Sequence, residues 1–354
     1  MHFRKTYDNG RGYSSYSFPS LGCHFLMGIS PCYHKACLPG IILFLLPAMT
    51  IGCSSGVLSF DSDAVRVSAF KSPYTSSFSE STLDILTFED DRLRRLDSYW
   101  RIEGFNGNTI WPASTGGEKI FFMCMNSQRD RYEWADIRSY SSLGNICCNL
   151  EEEDWDSPAM TGECRSAAGG PASDICLTPL VSEVYIGSLK CDFSGTPYSG
   201  KKITDVRIYL TNVNASCPLL DDGSGKGIRL INAGMLNEDD VRKFSHRDMI
   251  VQELAKELGT KAVKASKGLL CYPYSGDPSR STRLVVEGKI DGQTYFWPTE
   301  VCSEGISRNH RYIFRINIRR KGTSDPDNLI ERPEIEFETT IKPWTEKEEY
   351  TVGF

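Results

Sequence analysis

Two histidines, three acidic clusters and one glycine-rich loop are the groups beyond residue 52 whose types could do chemistry, and none is spaced for it. His246 (in SHRDM) and His310 (in SRNHRY) are the two histidines there. Neither stands at metal-site spacing from a His, Cys or carboxylate, so a histidine metal site is not expected. Residue order alone permits a Ser-His-Asp triad, but the chain has no G-x-S-x-G elbow to carry its serine. GSGKG (223–227) resembles a phosphate loop but lacks the first glycine and the Ser or Thr after the lysine, and it follows Asp221 and Asp222, which repel phosphate. A turn between strands is the simpler reading. The acidic clusters at 89–91, 151–154 and 221–222 do not follow EF-hand spacing and read as solvated loops. Trp100, Trp111 and Trp155 could stack on sugar, though isolated tryptophans are more often partial core. Asn214-Ala215-Ser216 matches a glycosylation sequon. No catalytic residue, metal or cofactor is expected, and the chain does not read as an enzyme.

The thirteen cysteines suggest other chemistry. Residues 38–52 form an apolar run that stops at Cys53, with His34 and Lys35 before it. A membrane-spanning helix needs about 20 apolar residues, so the run fits the core of a secretory signal instead. Gly52-Cys53 resembles the lipobox of bacterial lipoproteins, in which the cysteine thiol takes a diacylglycerol and the signal is cut before it. Residues 1–52 are thus expected to be a signal peptide, with Met27 able to start a compact version, and Cys53 the lipidation site. The alternatives are a cleaved signal with an incidental cysteine, or an uncleaved anchor. Cys23, Cys32 and Cys37 fall in the leader. The other nine, from Cys124 to Cys302, are scattered and contain no C-x-x-C pair. Most are expected to be buried thiols, with one or two disulfides if the compartment is oxidising.

Charge excludes another class. The chain holds 40 basic and 46 acidic residues, a net charge of −6. The leader has Arg4, Lys5, Arg11 and Lys35 against Asp8 alone, so the remainder is more acidic still. Nucleic-acid binding needs clustered positive charge, so no nucleic-acid partner is expected.

The elements beyond the leader read mostly as strands. VRVSAF (65–70), LDILTF (83–88), LVSEVYIGSLKCDF (180–193), DVRIYLTNVNA (205–215), GLLCYPYS, TRLVVEGKI and YIFRINIRR carry strand patterns. KIFFMCMN (119–126) is continuously apolar and suggests a strand covered on both faces. IEFETTIKPW (335–344) alternates and suggests a half-buried strand. Helices are expected at 134–143 and 237–259; in the latter, acidic residues crowd the start and Met249, Ile250, Leu254 and Leu258 form a stripe. AAGGPAS (167–173) is the candidate boundary, giving domains at 53–172 and 173–354. The fold class is all-β, most simply two sandwiches.

ISRNHRYIFRINIRRKGTSDPDNLIERPEIEFETTIKPW (306–344) resembles the C-terminal region of fimbrillins, the subunits of Bacteroidales type V pili. The residues carrying the likeness are Arg308, Asn309, His310 and Tyr312, then Gly322, Thr323, Pro326 and Asn328, then Trp344. KIFFMCMNS (119–127), SPAMTG (157–162), IYLTNVNA (208–215) and TYFWPTEV (294–301) resemble the family more weakly.

The resemblance implies two transthyretin-like sandwiches, export as a lipoprotein to the outer membrane, and removal of the first strand by a protease that cuts after an arginine. The C-terminal segment of another subunit then fills the opened groove, and the fimbria grows and supports adhesion. VRVSAF would be the removable strand, but the loop after it (KSPYTSSFSES, 71–81) has no arginine. Lys71 and Arg66 are the candidate cut sites, or the chain stays uncut as a lipid-anchored base or tip subunit. Ile341, Tyr350, Val352 and Phe354 would supply the donor strand's alternate apolar side chains. Partners would be other fimbrial subunits, the membrane through the lipid, and a surface ligand. The rival reading is a stand-alone glycan- or protein-binding lipoprotein.

Overall fold

Continuous apolar runs and alternating runs both give strands here, and which pattern a segment carries decides where it lies. The computed structural model describes residues 65–69 and 81–343, except 106–108, 111, 113, 131–132, 135, 167–172, 221–228, 274–279 and 331–334. The first strands are β1 (Val65–Ala69), β2 (Thr82–Glu89), β3 (Leu96–Glu103), β4 (Thr109–Ile110), β5 (Lys119–Met125), β6 (Cys147–Asn149), β7 (Met160–Ser166) and β8 (Ser173–Pro179). There follow β9 (Ser182–Cys191), β10 (Ile203–Thr211), β11 (Val213–Asn214), β12 (Ser216–Pro218), β13 (Leu230–Ile231), β14 (Val251–Leu258) and β15 (Leu269–Cys271). The last are β16 (Arg283–Ile290), β17 (Gln293–Glu300), β18 (His310–Ile318) and β19 (Ile335–Pro343). The protein is all-β.

The first seven-stranded sheet runs β3-β2-β5-β7-β8-β1-β4. It folds over at the β7–β8 step, where only Met160 and Thr161 pair with Pro179 and Thr178. Gly162 permits the fold: a Cβ there would lie 2.6 Å from the Cys176 carbonyl oxygen. The two layers enclose Leu83, Ile85, Phe121, Met123, Met125, Met160, Ile175 and Leu177. The other face of β2 and β5 presents Leu86, Phe88, Ile120, Phe122 and Cys124 to a second, larger core. All of β5 is buried, as its unbroken apolar run requires.

The second sandwich stacks β14-β10-β16-β17 on β15-β9-β18-β19. Its alternating strands fill the larger core from both sheets, with Ile208 and Leu284 from one and Val184, Ile186, Phe314 and Ile316 from the other. Residues 134–155 bridge the halves: Trp134, Leu143, Leu150 and Trp155 join that core, and β6 pairs with β12. β8, read in the sequence as part of the second half, hydrogen-bonds within the first sheet, and the chain changes sheets between Pro179 and Ser182.

Both expected helices are corrected. Residues 237–259 hold only a one-turn helix α1 (Glu238–Val241), a 3-10 turn (Arg247–Met249) and β14. Asn237 caps α1 by accepting from the Asp239 and Asp240 amides. The stripe had helical spacing, but β14 satisfies its backbone along the β10 edge, with Val251 opposite Tyr209 and Leu258 opposite Ile203. In 134–143, Trp134 is helical among the described residues, but the helix does not run on: the segment from Tyr140 is a 3-10 turn (Tyr140–Asn145). The Ser139 hydroxyl bonds those of Ser141 and Ser142 there, and such short polar side chains favour turns over helix interiors.

Candidate functional site

The first strand is held on both edges. β1 runs parallel to β8, from Val65 opposite Ser173 to Ala69 opposite Leu177. On its other side Val65 and Arg66 pair antiparallel with Ile110 and Thr109. Arg66 is thus a sheet position in register with Asp174, not a loop residue. Lys71 lies outside the described residues. Without β1, five residues of β8 lose their backbone partners on that edge, directly over the buried Ile175 and Leu177.

The last described strand is an edge. β19 pairs with β18 from Ile335–Ile318 to Pro343–His310 and has no strand on its other side among the described residues. Ile341, opposite Tyr312, is half exposed. Tyr350, Val352, Phe354, Trp344 and Cys53 lie outside the described residues, as do GSGKG and Trp111.

Between these strands sit the residues of the RNHxY segment. Arg308 Nη2 donates to the Thr178 hydroxyl (2.8 Å), the Thr178 carbonyl (2.5 Å) and the Thr161 hydroxyl (3.0 Å), and Nε donates to the Pro179 carbonyl (3.2 Å). A guanidinium at the head of the second sandwich's β18 thereby clamps the β7–β8 seam of the first. Asn309 adopts φ 57, and its amide donates to the Val181 carbonyl. His310 Nδ1 lies 2.7 Å from the Arg308 carbonyl oxygen, and the Tyr312 hydroxyl accepts from the Ser307 amide. His310 therefore starts β18, its ring held against the turn that Asn309 makes before it. His246 caps the 3-10 turn at Arg247–Met249 without a side-chain bond.

The GTxxPxN segment is as tightly determined. Thr323 exchanges both backbone bonds with Phe296. A Cβ on Gly322 would lie 2.2 Å from the Phe296 carbonyl oxygen, so the approach requires glycine. Asp327 accepts from Arg283 through both its carboxylate and its carbonyl.

A buried polar cluster that sequence reasoning missed joins the bridging segment to the second sandwich. Glu153 accepts from the Tyr272 hydroxyl (2.6 Å) and the Ala159 amide (3.0 Å). Burial pushes its carboxyl up to about 7, against the pull of those two hydrogen bonds. Cys148 interacts electrostatically with Glu153 and Tyr272, and Cys217 with Tyr272. Glu153 was read as part of a solvated acidic loop, and only its distant partner Tyr272 reveals otherwise. Asp84 with Arg101, and Glu183 with Arg311, are further buried pairs. Of the tryptophans weighed for sugar stacking, Trp100 is exposed, whereas Trp155 is buried with the Lys267 ammonium over its ring. Among the described residues no His, Cys, Asp or Glu group could hold a metal, and no helix is long and apolar enough to cross a membrane.

No protein-family model matches this sequence, and no curated protein matches it. Solved structures do match. A fimbrillin from Porphyromonas gingivalis W83 aligns at a TM-score of 0.60 and 12% identity, over 80% of this chain and 97% of that one. A candidate cell adhesion protein from Parabacteroides distasonis ATCC 8503 aligns at 0.59 and 13%, over 81% and 98%. This chain has the fimbrillin fold. A second candidate cell adhesion protein, from Bacteroides eggerthii DSM 20697, aligns at 0.56 and 13%, over 80% and 96%. The likeness thus spans nearly the full length of each of these structures.

Proposed function

We propose that this chain is a structural subunit of a cell-surface fimbria, polymerising by strand exchange after export as a lipoprotein and supporting adhesion. The observation that carries this reading is the position of β1: five residues paired along β8, at the start of the described chain, over an apolar core. Removing such a strand opens an edge that main-chain hydrogen bonds from another subunit can refill, with alternate side chains seated in the core. The donor is the segment from β19 onward: Tyr350, Val352 and Phe354 alternate as the residues of one strand face do, and Ile341 lies upstream of them within β19. Cys53 carries the lipid, the chain matures at the outer membrane, and its partners are further fimbrial subunits. The domain boundary lies after β8, between Pro179 and Ser182, rather than at 172/173 as the sequence suggested, because β8 belongs to the first sheet; β1 is the removable strand of that first domain. The function is structural rather than catalytic.

Cleavage at Lys71 frees the whole of β1, whereas cleavage at Arg66 cuts inside it and leaves Val67–Ala69 paired with Ile175–Leu177. Lys71 is therefore the better site. The deciding experiment is the intact mass of the protein recovered from the native cell surface. A chain starting at residue 72 without lipid supports the polymerising subunit. A chain starting at acylated Cys53 replaces it with a lipid-anchored base subunit or a stand-alone binding lipoprotein. SDS-resistant ladders that vanish on deletion of residues 345–354 separate strand exchange from mere anchoring.

A further inference from the structure

Cys148 and Cys217 face each other across the only ladder that ties the bridging segment to the second sandwich among the described residues. In β6–β12 the register sets Ser216 opposite Asn149, Cys217 opposite Cys148 and Pro218 opposite Cys147. The Leu150 amide donates to the Ala215 carbonyl, and the Leu219 amide to the Ile146 carbonyl, both at 2.9 Å. These bonds mark 150–215 and 146–219 as hydrogen-bonded pairs. Alternation along an antiparallel ladder makes the pair midway between them, 148–217, hydrogen-bonded too, with a Cα separation of about 5.5 Å. That lies within the roughly 4.4–6.8 Å that disulfides span between Cα atoms, but the Cβ separation of such a pair, about 5 Å or more, exceeds the roughly 3.5–4.5 Å of a closed bond; both residues are thiols in this structure, and closing the bond draws the two strands together. Directly opposed residues share a face of the ladder, and both cysteines are on the inner one: Cys148 is 4% and Cys217 2% exposed. Cys147, the next residue, is exposed and faces away.

We infer that Cys148 and Cys217 are a disulfide site, closed as the chain folds in the presence of a small disulfide oxidant. The Cys148 thiolate attacks one sulfur of the oxidant, expelling one thiolate. The Cys217 thiolate then attacks Cys148 Sγ in the mixed disulfide, expelling the second. The two protein thiols lose two electrons and two protons, and the oxidant is reduced to two thiols. Burial pushes the Cys148 thiol well up in the folded chain and so suppresses its thiolate. The bond must therefore form while β12 is docking on β6, and once formed it is shielded from reductant. It would close a loop of about 70 residues, a long one in the range where cross-links constrain the unfolded chain most. It would also fasten residues 140–155 covalently to the second sandwich, beside the Glu153–Tyr272 bond.

Cys124 is the competitor, because it is also a close neighbour of Cys148. It comes from β5, however, with no ladder to hold it opposite. The test refolds the full chain in a glutathione redox buffer, blocks residual thiols with N-ethylmaleimide at acid pH, digests without reductant and locates links by fragmentation. A Cys148–Cys217 link in most of the folded protein, lighter by two hydrogen atoms than the reduced pair, is expected. Alkylation of both cysteines, or a link from Cys148 to Cys124 or any other cysteine, overturns the inference. As a second reading, reductant present during refolding should lower the melting temperature of the wild type and of Cys147→Ser alike, and leave the Cys148→Ser/Cys217→Ser variant unmoved. An equal reductant effect on the double variant also overturns it.

Discussion

Arg308 Nη2 sits 2.8 Å from the Thr178 hydroxyl oxygen, so a residue two positions ahead of β18 holds the end of β8. The same guanidinium reaches three carbonyls, of Thr161, Thr178 and Pro179. Charge-assisted bonds of this kind contribute about 1.5–3 kcal/mol each when a partner is removed, and they are not additive. Arg308→Ala should cost about 3 kcal/mol in denaturant unfolding. Arg308→Lys should recover little, because one ammonium cannot satisfy a forked set of acceptors. A loss below 1 kcal/mol for Arg308→Ala would mean that the seam does not depend on the clamp.

Glu153 predicts a pH dependence of definite sign. Its folded carboxyl titrates at about 7 against an ordinary 4.5, so between those values the folded chain binds a proton that the unfolded chain has lost. This contribution to stability is complete below pH 4.5, declines as pH rises, and is gone above about 7. Over that window the loss is on the order of 3 kcal/mol. Glu153→Gln keeps an acceptor and gains a donor that can reverse the bond to Tyr272, and it should flatten the decline. Tyr272→Phe removes a donor that favours the ionised form and should move the upper end of the window to higher pH. Urea midpoints at intervals from pH 4.5 to 8 measure both, and a Glu153→Gln slope equal to wild type would refute the assignment.

Gly322→Ala should destabilise by about 2 kcal/mol, in the range typical of overpacking. The added methyl group meets the Phe296 carbonyl oxygen at 2.2 Å and the Trp297 ring at 3.0 Å, and the oxygen belongs to a backbone that is itself paired with Thr323. Gly292→Ala, with nothing within 4 Å but a φ of 84, is the control for backbone strain alone. Thermal melts that place the two variants together would leave no role for the close approach.

The strands were legible because their patterns differ in kind. β5 announced burial on both faces through KIFFMCM, and β18 announced one face through alternating Tyr312, Phe314, Ile316 and Ile318. β14 was not legible: VQELAKEL is a good helix former, and only the open edge of β10 makes it a strand. The RNHxY and GTxxPxN segments were visible as motifs, yet their roles were not. Arg308 acts on residues about 130–147 positions away, and Gly322 on a carbonyl of another strand. Glu153 was hidden for the same reason, since a local window of EEED describes a wet loop. What sequence reading lacks in each case is the distant partner: of the two groups that bond Glu153, Ala159 is six residues away but Tyr272 is 119.

Loss of β1 should be readable at β8 without any polymer. In a chain beginning at Ser81, the β8 amides that face β1 between Ser173 and Leu177 lose their acceptors. Their hydrogen exchange should accelerate by a factor of about 100 or more, while β5, paired with β2 and β7, keeps its protection. A synthetic peptide of residues 335–354 should restore protection at 173–177 if the donor segment can occupy the vacated edge, because the refilled ladder returns main-chain acceptors to the same amides. Protection restored instead by the peptide 60–70 alone would mean that the groove accepts its own strand but not the donor. Such an outcome would fit an uncut, anchored subunit and remove the basis for strand exchange.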